Sequence, residues 1–179
     1  MTSHSLTRRE VSIRLVSMLS VFGFAGKAKA LTGHLLSEGD QISRNCECIH
    51  QEVIIQASPA RVYQALTDAK QFGKITDFSI PGAGLSTVIS AEAGGMFSLF
   101  GGVIVGRHIE LVANERLVQA WREKDWTPGV YSVVRFQLNG QGAGTKLVFD
   151  HTGFPQGAAE HLAAGWKSHY WEPLQKYLA

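Results

Sequence analysis

The sequence has little cysteine and no apolar run long enough to cross a membrane, and both shortages narrow its class. Its 179 residues include two cysteines, Cys46 and Cys48. Structural zinc usually takes four ligands, and a disulfide between residues two apart would close a small, strained ring, so we assign these thiols no role. The charge-free run 15–26 is shorter than the roughly 20 residues that a spanning helix needs. The sequence therefore predicts neither a zinc module nor a membrane anchor.

The motifs of common catalytic sites are also missing. The sequence contains no Gly-x-Ser-x-Gly nucleophile elbow, no phosphate-binding loop and no obvious carboxylate pair that would supply an acid and a base. His161 and His169 are eight residues apart on the predicted C-terminal helix, and with His108 they form no metal-ligand pattern. We predict no metal and no cofactor, and His151 is the one serious candidate for acid–base work.

Positive charge is concentrated at the N-terminus. The chain has 17 Lys and Arg residues against 15 Asp and Glu residues, and five of the basic residues but a single acid lie in the first 30 positions. The rest of the chain then holds 12 basic and 14 acidic residues. Because nucleic-acid binding needs a basic patch or stripe, we expect no nucleic-acid partner.

The first 30 residues have the layout of an export signal. Arg8 and Arg9 precede the short apolar run, and the ending Ala28-Lys29-Ala30 predicts cleavage after Ala30. The arginine pair resembles the twin-arginine motif. We predict a signal peptide over 1–30 that engages the export machinery, and a periplasmic or otherwise extracytoplasmic mature protein. The alternative is an amphipathic helix that stays attached to a cytoplasmic protein.

Residues 31–48 show neither alternation nor a helical stripe and predict an irregular tether, whereas regular patterns begin at residue 49. Alternating apolar residues predict a strand over 49–57. Ser58 and Pro59 favour a helix start, so helices are expected over 59–68 and 71–75. Further strands are predicted over 85–91, 96–100, 103–112, 117–122, 130–138 and 145–152, with turns at Gly101-Gly102 and Asn139-Gly140.

The last 22 residues complete the predicted α+β order. Short links between the strands leave no room for crossover helices, which favours an antiparallel sheet. Residues 158–179 predict an amphipathic helix that covers this sheet. Pro173 predicts a kink in the helix, and Trp171 falls on its polar side.

This order resembles the START-like helix-grip (SRPBCC) superfamily, and within it the family of activator-of-heat-shock-protein-90-ATPase homologues. The resemblance covers about 51–178. It implies one domain over 49–179, in which a curved antiparallel sheet wraps a long C-terminal helix and encloses an apolar cavity. The resemblance is carried by the Ser58-Pro59 helix start and by residues 94–126, 129–138, 143–155 and 161–178.

The resemblance also implies a function, the binding of a small apolar or amphipathic ligand in a cavity of a few hundred Å³. A solid core with Trp121 packed directly on Trp166 would argue against it. Aromatic residues on these elements are alternatively plain core residues, His151 alternatively satisfies a buried loop carbonyl, and Arg107 faces either the cavity or solvent. The residues expected at the ligand are Arg107, Trp121, Trp126, Tyr131, His151, Phe154, Trp166 and Tyr170.

Two other functions stay open at this point. The first is co-chaperone activity, since the named family members activate the ATPase of a heat-shock chaperone. The second is an enzyme of the cyclase, dehydratase or hydrolase type, in which a polar group of the cavity such as His151 would act. An exported protein would not meet a cytoplasmic ATP-driven chaperone, so the export prediction favours the ligand-binding function.

Overall fold

The computed structural model of the chain describes residues 47–179. The predicted signal peptide, with Arg8, Arg9 and the cleavage site after Ala30, lies outside the described residues, and so does the predicted tether up to residue 46. The boundaries at residues 30 and 48 stay predictions. Within 47–179, no helix is long and apolar enough to cross a membrane.

Within residues 47–179, seven antiparallel strands form one sheet in the order β1-β7-β6-β5-β4-β3-β2. The chain runs back and forth from β2 to β7, and β1 then pairs with β7 along its whole length. This confirms the predicted antiparallel sheet. The strands are β1 (Cys48–Ile55), β2 (Val88–Ile89), β3 (Met96–Leu99), β4 (Ile104–Val112), β5 (Arg116–Glu123), β6 (Ser132–Gln141) and β7 (Gly144–Thr152).

One face of the sheet forms the core because apolar residues alternate along its central strands. In β6, Val134, Phe136 and Leu138 are buried, and in β7, Leu147 and Phe149 are buried, as expected when successive side chains point to opposite faces. Phe136 and Phe149 are direct neighbours across the two strands, with ring centroids 5.1 Å apart. The same alternation places charged residues on the other face.

Two helices follow β1. Helix α1 (Pro59–Thr67) begins where the Ser58 hydroxyl accepts a hydrogen bond from the Arg61 N–H. Helix α2 (Ala69–Ser79) begins at Asp68, whose carboxylate accepts from the Gln71 N–H at 2.9 Å. The prediction of a short helix over 71–75 was therefore wrong in length, because this second N-cap starts a full helix of 11 residues.

Predicted boundaries of the sheet also differ from the observed ones. The strand predicted over 85–91 is reduced to Val88–Ile89. The turn predicted at Asn139-Gly140 lies three residues further on, because Gln141 pairs with Gly144 and leaves Gly142 and Ala143 as the loop. Gly142, the first loop residue, has φ +59°, and a type II′ hairpin turn takes glycine at this position. Gly101 and Gly102 lie in the connection from β3 to β4 as predicted, but the loop has four residues instead of two, because Leu99 pairs with Ile104.

The C-terminal helix has three parts rather than one. Helix α3 (Ala159–Trp166) is followed by a π-helical segment (Lys167–Trp171) and by helix α4 (Glu172–Leu178). Pro173 lacks an N–H and crowds the carbonyl one turn earlier, so the predicted kink takes the form of this wide turn. The turn is wide because π-helical hydrogen bonds join residues five positions apart, instead of the four of an α-helix.

The π-helical segment corrects the prediction for Trp171. On a regular helix Trp171 would lie about 140° away from Trp166. The wide turn instead brings the two indoles together as a stacked pair, with centroids 5.6 Å apart and planes at 19°. Trp171 is therefore buried, and its Nε1–H donates a hydrogen bond to Gln51 of β1.

Candidate functional site

A cavity of about 460 Å³ lies at one end of the sheet, beside the C-terminal helix. Its walls come from the loop after α2, the β3–β4 turn, the start of β4, the end of β5, α3 and the π-helical segment. The apolar lining includes Leu85, Phe100, Ile104, Trp121, Leu162 and Trp166, and the polar lining is Glu123, His161, Ser168, His169 and Tyr170.

The predicted cavity is therefore present, but it does not run beneath the whole sheet. Trp121 and Trp166 contact each other directly, with ring centroids 5.4 Å apart, which is the contact we expected in a solid core. Both residues also line the cavity, so they form the boundary between a filled centre and an open end. A second void, lined in part by His108 and Gln119, has about 10 Å³, room for roughly one water molecule.

Aromatic side chains fill the centre. The ring of Phe149 lies 4.3 Å from Trp166 and 5.1 Å from Trp171, measured between centroids. Phe136 contacts the same two indoles at 5.9 and 6.1 Å. All four residues are almost completely buried, so this region is a packed core and holds no ligand space.

His151 is bound on both ring nitrogens by neighbouring protein groups. The Trp166 indole can only donate, so its Nε1–H, 3.0 Å away, requires a lone pair on His151 Nδ1. The ring proton is therefore on Nε2, which donates to Ser132 Oγ at 2.7 Å. The Ser132 hydroxyl in turn donates to the Trp121 carbonyl at 2.9 Å. Every polar atom of this network has a partner.

This network decides the chemical role of His151. The imidazole has no free lone pair with which to take a proton from Ser132, so the two residues are not a nucleophile and its base. Burial also lowers the pKa of His151 to about 4, because the charged form would lose its hydration. His151 satisfies internal hydrogen bonds, as one of our interpretations expected, although its partners are Trp166 and Ser132 instead of a loop carbonyl.

Two polar atoms at the cavity differ from this network. Among residues 47–179, the Trp121 Nε1–H and the Tyr170 hydroxyl have no hydrogen-bond partner, although both are buried. Burial raises the pKa of Tyr170 above its usual value; the nearby Trp121 N–H partly opposes this rise, and the Glu123 carboxylate adds to it. The two groups are thus close enough to influence each other, but their geometry falls short of a hydrogen bond.

Of the eight residues predicted at the ligand, three line the cavity: Trp121, Trp166 and Tyr170. His151 belongs to the central hydrogen-bond network, and the other four residues are not part of the cavity lining. Trp126 contacts Trp121 at 5.5 Å and donates to Glu123, and Phe154 is buried against His151. Tyr131 is half-exposed beneath Arg122. Arg107 is exposed and donates to the Gly94 carbonyl at 2.9 Å.

Sequence reasoning missed several lining residues. Leu162 precedes Trp166 by four positions, and Trp166 precedes Tyr170 by four, so helical spacing could have identified Leu162. Phe100 and Glu123 carry no such signal, because each lies where its strand ends. Phe100 has φ +52°, a conformation that strand periodicity does not anticipate.

No metal-binding arrangement accompanies the cavity. His161 Nε2 lies 3.6 Å from a Glu123 oxygen at the rim, which makes a single pair. Within the described range 47–179, no group of three or more His, Cys, Asp or Glu residues could hold a metal ion.

Residues 56–179 match the sequence model of the family described as Activator of Hsp90 ATPase homolog 1-like protein. The chain belongs to this family. A mouse relative, activator of 90 kDa heat shock protein ATPase homolog 2, is 31% identical over 91 residues, which are 51% of this chain and 28% of the relative. The human homolog 1 is 23% identical over 131 residues, 73% of this chain and 36% of the relative. The chain thus spans about a third of the length of these curated relatives.

Solved structures share the fold. The crystal structure of an HSP90 activator from Plasmodium falciparum has a TM-score of 0.66 and 25% identity, covering 73% of this chain and 95% of that one. The solution structure of the Aha1 dimer from Colwellia psychrerythraea has a TM-score of 0.59 and 19% identity, covering 74% and 96%. The predicted helix-grip fold is confirmed.

Proposed function

We propose that this family member binds a small apolar or amphipathic molecule in the cavity beside its C-terminal helix. One observation carries the proposal: an apolar cavity of about 460 Å³ in a domain whose centre is otherwise densely packed. Ligand pockets are typically about 300–1,000 Å³, mostly apolar, with a few polar groups that fix orientation.

The polar residues of the cavity suggest how an amphipathic ligand would lie. His161, Ser168 and His169 are exposed and belong to the rim, whereas Phe100, Trp121 and Trp166 are buried. An apolar body would therefore contact the aromatic residues, and a polar end would remain at the rim in water.

Filling the cavity tests this proposal. A Cβ added at Gly165, which lines the cavity, would meet nothing within 4 Å, so Gly165→Leu should place a side chain in the cavity without a clash. The matched control is Gly73→Leu, because Gly73 is also helical and open, in α2, and does not line the cavity. The probe is N-phenyl-1-naphthylamine, which fluoresces in apolar surroundings.

We expect the unmodified chain and Gly73→Leu to enhance the fluorescence of this probe saturably. Gly165→Leu should lose at least about 1.4 kcal/mol of binding free energy, a tenfold weaker Kd. A chain that fails to bind the probe, or binding that Gly165→Leu leaves unchanged, would remove the proposal. Circular dichroism checks that both variants remain folded.

Co-chaperone activity is the second candidate function, because the matched mouse and human relatives are named as activators of the 90 kDa heat shock protein ATPase. Adding the full chain to such a chaperone and measuring ATP hydrolysis tests it directly. Saturable stimulation would support the co-chaperone function, and a flat response at saturating concentration would eliminate it.

The predicted export signal also bears on this choice. Replacing Arg8 and Arg9 by lysine keeps the charge but removes the twin-arginine pair. If the signal is used, we expect processed protein outside the cytoplasm and retention of the variant inside. Unprocessed cytoplasmic protein in both cases would instead favour the chaperone partner.

A further inference from the structure

Two hydrogen-bond donors buried at the cavity have no partner within the described part of the chain. From them we infer that the ligand carries a neutral hydrogen-bond acceptor, such as a ketone, ester or ether oxygen, that binds to the Tyr170 hydroxyl and the Trp121 indole N–H. The inference rests on the proposed function, since it names the chemical class of the molecule in the same cavity.

The burial of the two donors is the first step. Tyr170 is 6% exposed and Trp121 is 3% exposed, and among residues 47–179 neither the hydroxyl nor the indole nitrogen has a partner. Buried polar side-chain atoms are paired in the large majority of cases. Among residues 47–179, Thr87 Oγ1 and His108 Nε2 are also buried without a partner, whereas each polar atom of the central network around His151 is paired.

Both donors are held in place by the surrounding rings. Tyr170 contacts Phe72 at 5.6 Å, Phe100 at 5.5 Å and Trp166 at 4.2 Å between centroids. The Trp121 ring contacts Trp166 on the boundary with the core. Neither side chain can turn its polar atom to bulk water without disrupting this packing, so the donors are pre-organised for a group that enters the cavity.

The indole determines the type of ligand group. An indole N–H only donates, so a group that satisfies Trp121 must accept. The same acceptor can receive the Tyr170 hydroxyl proton, because burial keeps the Tyr170 pKa above its usual value and the phenol protonated. One oxygen with two lone pairs is therefore sufficient for both donors.

The charge at the cavity favours a neutral acceptor over an anionic one. Glu123 is part of the lining, and its carboxylate already disfavours a second negative charge at Tyr170. A carboxylate ligand would meet the same repulsion and would also lose its hydration. His161 at the rim is 77% exposed on its side chain, so solvent screens any positive charge that it offers.

Three naphthalene probes of nearly equal shape test the inference. 2-Acetonaphthone presents a neutral acceptor, 2-isopropylnaphthalene replaces that acceptor by a methyl group, and 2-naphthoate presents an anion. Binding is measured by titration calorimetry against the full-length chain, against Tyr170→Phe, and against the control Tyr177→Phe. Tyr177 lies in α4 and does not line the cavity, and its hydroxyl contacts Gln71 at 3.4 Å.

We expect Tyr170→Phe to weaken 2-acetonaphthone about fivefold, as for one net hydrogen bond, and to change 2-isopropylnaphthalene by less than about twofold. Tyr177→Phe should change neither. The naphthoate should bind at least about tenfold more weakly than the ketone to the unmodified chain. In nitrogen-resolved NMR spectra, the Trp121 indole proton should move downfield with the ketone and not with the isopropyl compound.

The possible results separate the two proposals. Both neutral probes could bind while Tyr170→Phe leaves the ketone-to-isopropyl affinity ratio unchanged. This result would refute the inference that the ligand carries a hydrogen-bond acceptor, and the proposed binding in the cavity would stand. If the naphthoate binds most tightly, the neutral class is wrong. If none of the probes binds, the proposed function fails and the inference fails with it.

Discussion

Two regions beside the C-terminal helix differ in how their buried polar atoms are paired. At the packed centre, His151 and Ser132 have partners on every side, whereas at the cavity Tyr170 and Trp121 bury donors that no described residue satisfies. Trp166 belongs to both regions, as donor to His151 and as a wall of the cavity. The difference separates a centre whose polar atoms are paired from an open end whose donors are free for the proposed ligand.

The largest expected effect comes from opening the packed centre. Phe149→Ala should reduce the free energy of unfolding by about 3–5 kcal/mol, because Phe149 is fully buried and its removal leaves a cavity between Trp166 and Trp171. Denaturant titration measures this loss. Phe78→Ala is the control, since Phe78 is 40% exposed, and should cost less than about 1 kcal/mol. Equal losses would contradict a packed centre.

Protonation of His151 should have the next largest effect. Its folded pKa of about 4 is below the ordinary 6.5, so the unfolded chain binds more protons between these values and stability falls as the pH falls through this window. We expect a loss of up to roughly 3 kcal/mol from pH 7 to pH 4. The measurement compares unfolding free energies with those of His151→Gln, which lacks this titration.

The comparison with His151→Gln cancels the contributions that other titrating groups make to the pH dependence of stability in this range. The pKa of Asp150 and that of Glu110 are lowered by hydrogen bonds to His50 and Arg116, respectively, and burial lowers the pKa of His108. These groups are present in both chains. If the stability gap between the chains stays constant with pH, His151 is not responsible.

A smaller effect should follow from removing a hydroxyl at the centre. Ser132→Ala leaves the His151 Nε2–H without its acceptor, and an unpaired buried donor costs about 1–3 kcal/mol. Ser168→Ala removes an exposed hydroxyl that bonds only the Ala164 carbonyl within the described chain, and should change stability by less than about 0.5 kcal/mol. Unfolding curves of the two variants test the contrast.

The smallest effect should come from removing a hydroxyl at the cavity. Tyr170→Phe should leave the free energy of unfolding within about 0.5 kcal/mol or raise it slightly, since the lost hydroxyl is buried without a described partner. A loss above about 1 kcal/mol would show that the hydroxyl is already satisfied without a ligand. Together with Ser132→Ala, this result tests the difference between the two regions directly.

The central strands of the sheet were predictable because β6 and β7 follow a period of two. Phe136 and Phe149, for example, alternate with more exposed residues, and burial of one face enforces that register. The inward stripe of the C-terminal helix was likewise visible in the spacing of Trp166 and Tyr170. Both signals are local in sequence, which explains why the helix-grip order and three of the cavity residues were identified.

The wrong predictions concern features that are determined by contacts between elements distant in the sequence. The partners of His151 come from β6 and α3, 19 and 15 residues away, and no local pattern specifies them. The inward position of Trp171 depends on a π-turn, which a 100° helical wheel excludes by construction. The extent of the cavity depends on how the β3–β4 turn and the loop after α2 close one end of the sheet.

The π-helical segment also lets α3 and α4 differ in their rotation about the helix axis. Upstream of it, α3 is oriented so that Leu162 and Trp166 are buried; downstream, α4 packs on α2 and buries Leu174 and Leu178. In a regular, uninterrupted helix, the orientation of α3 about the helix axis would determine the orientation of α4. The five residues of the π-helical segment separate the two orientations, so sequence changes that reshape the cavity through α3 need not rotate α4 relative to α2.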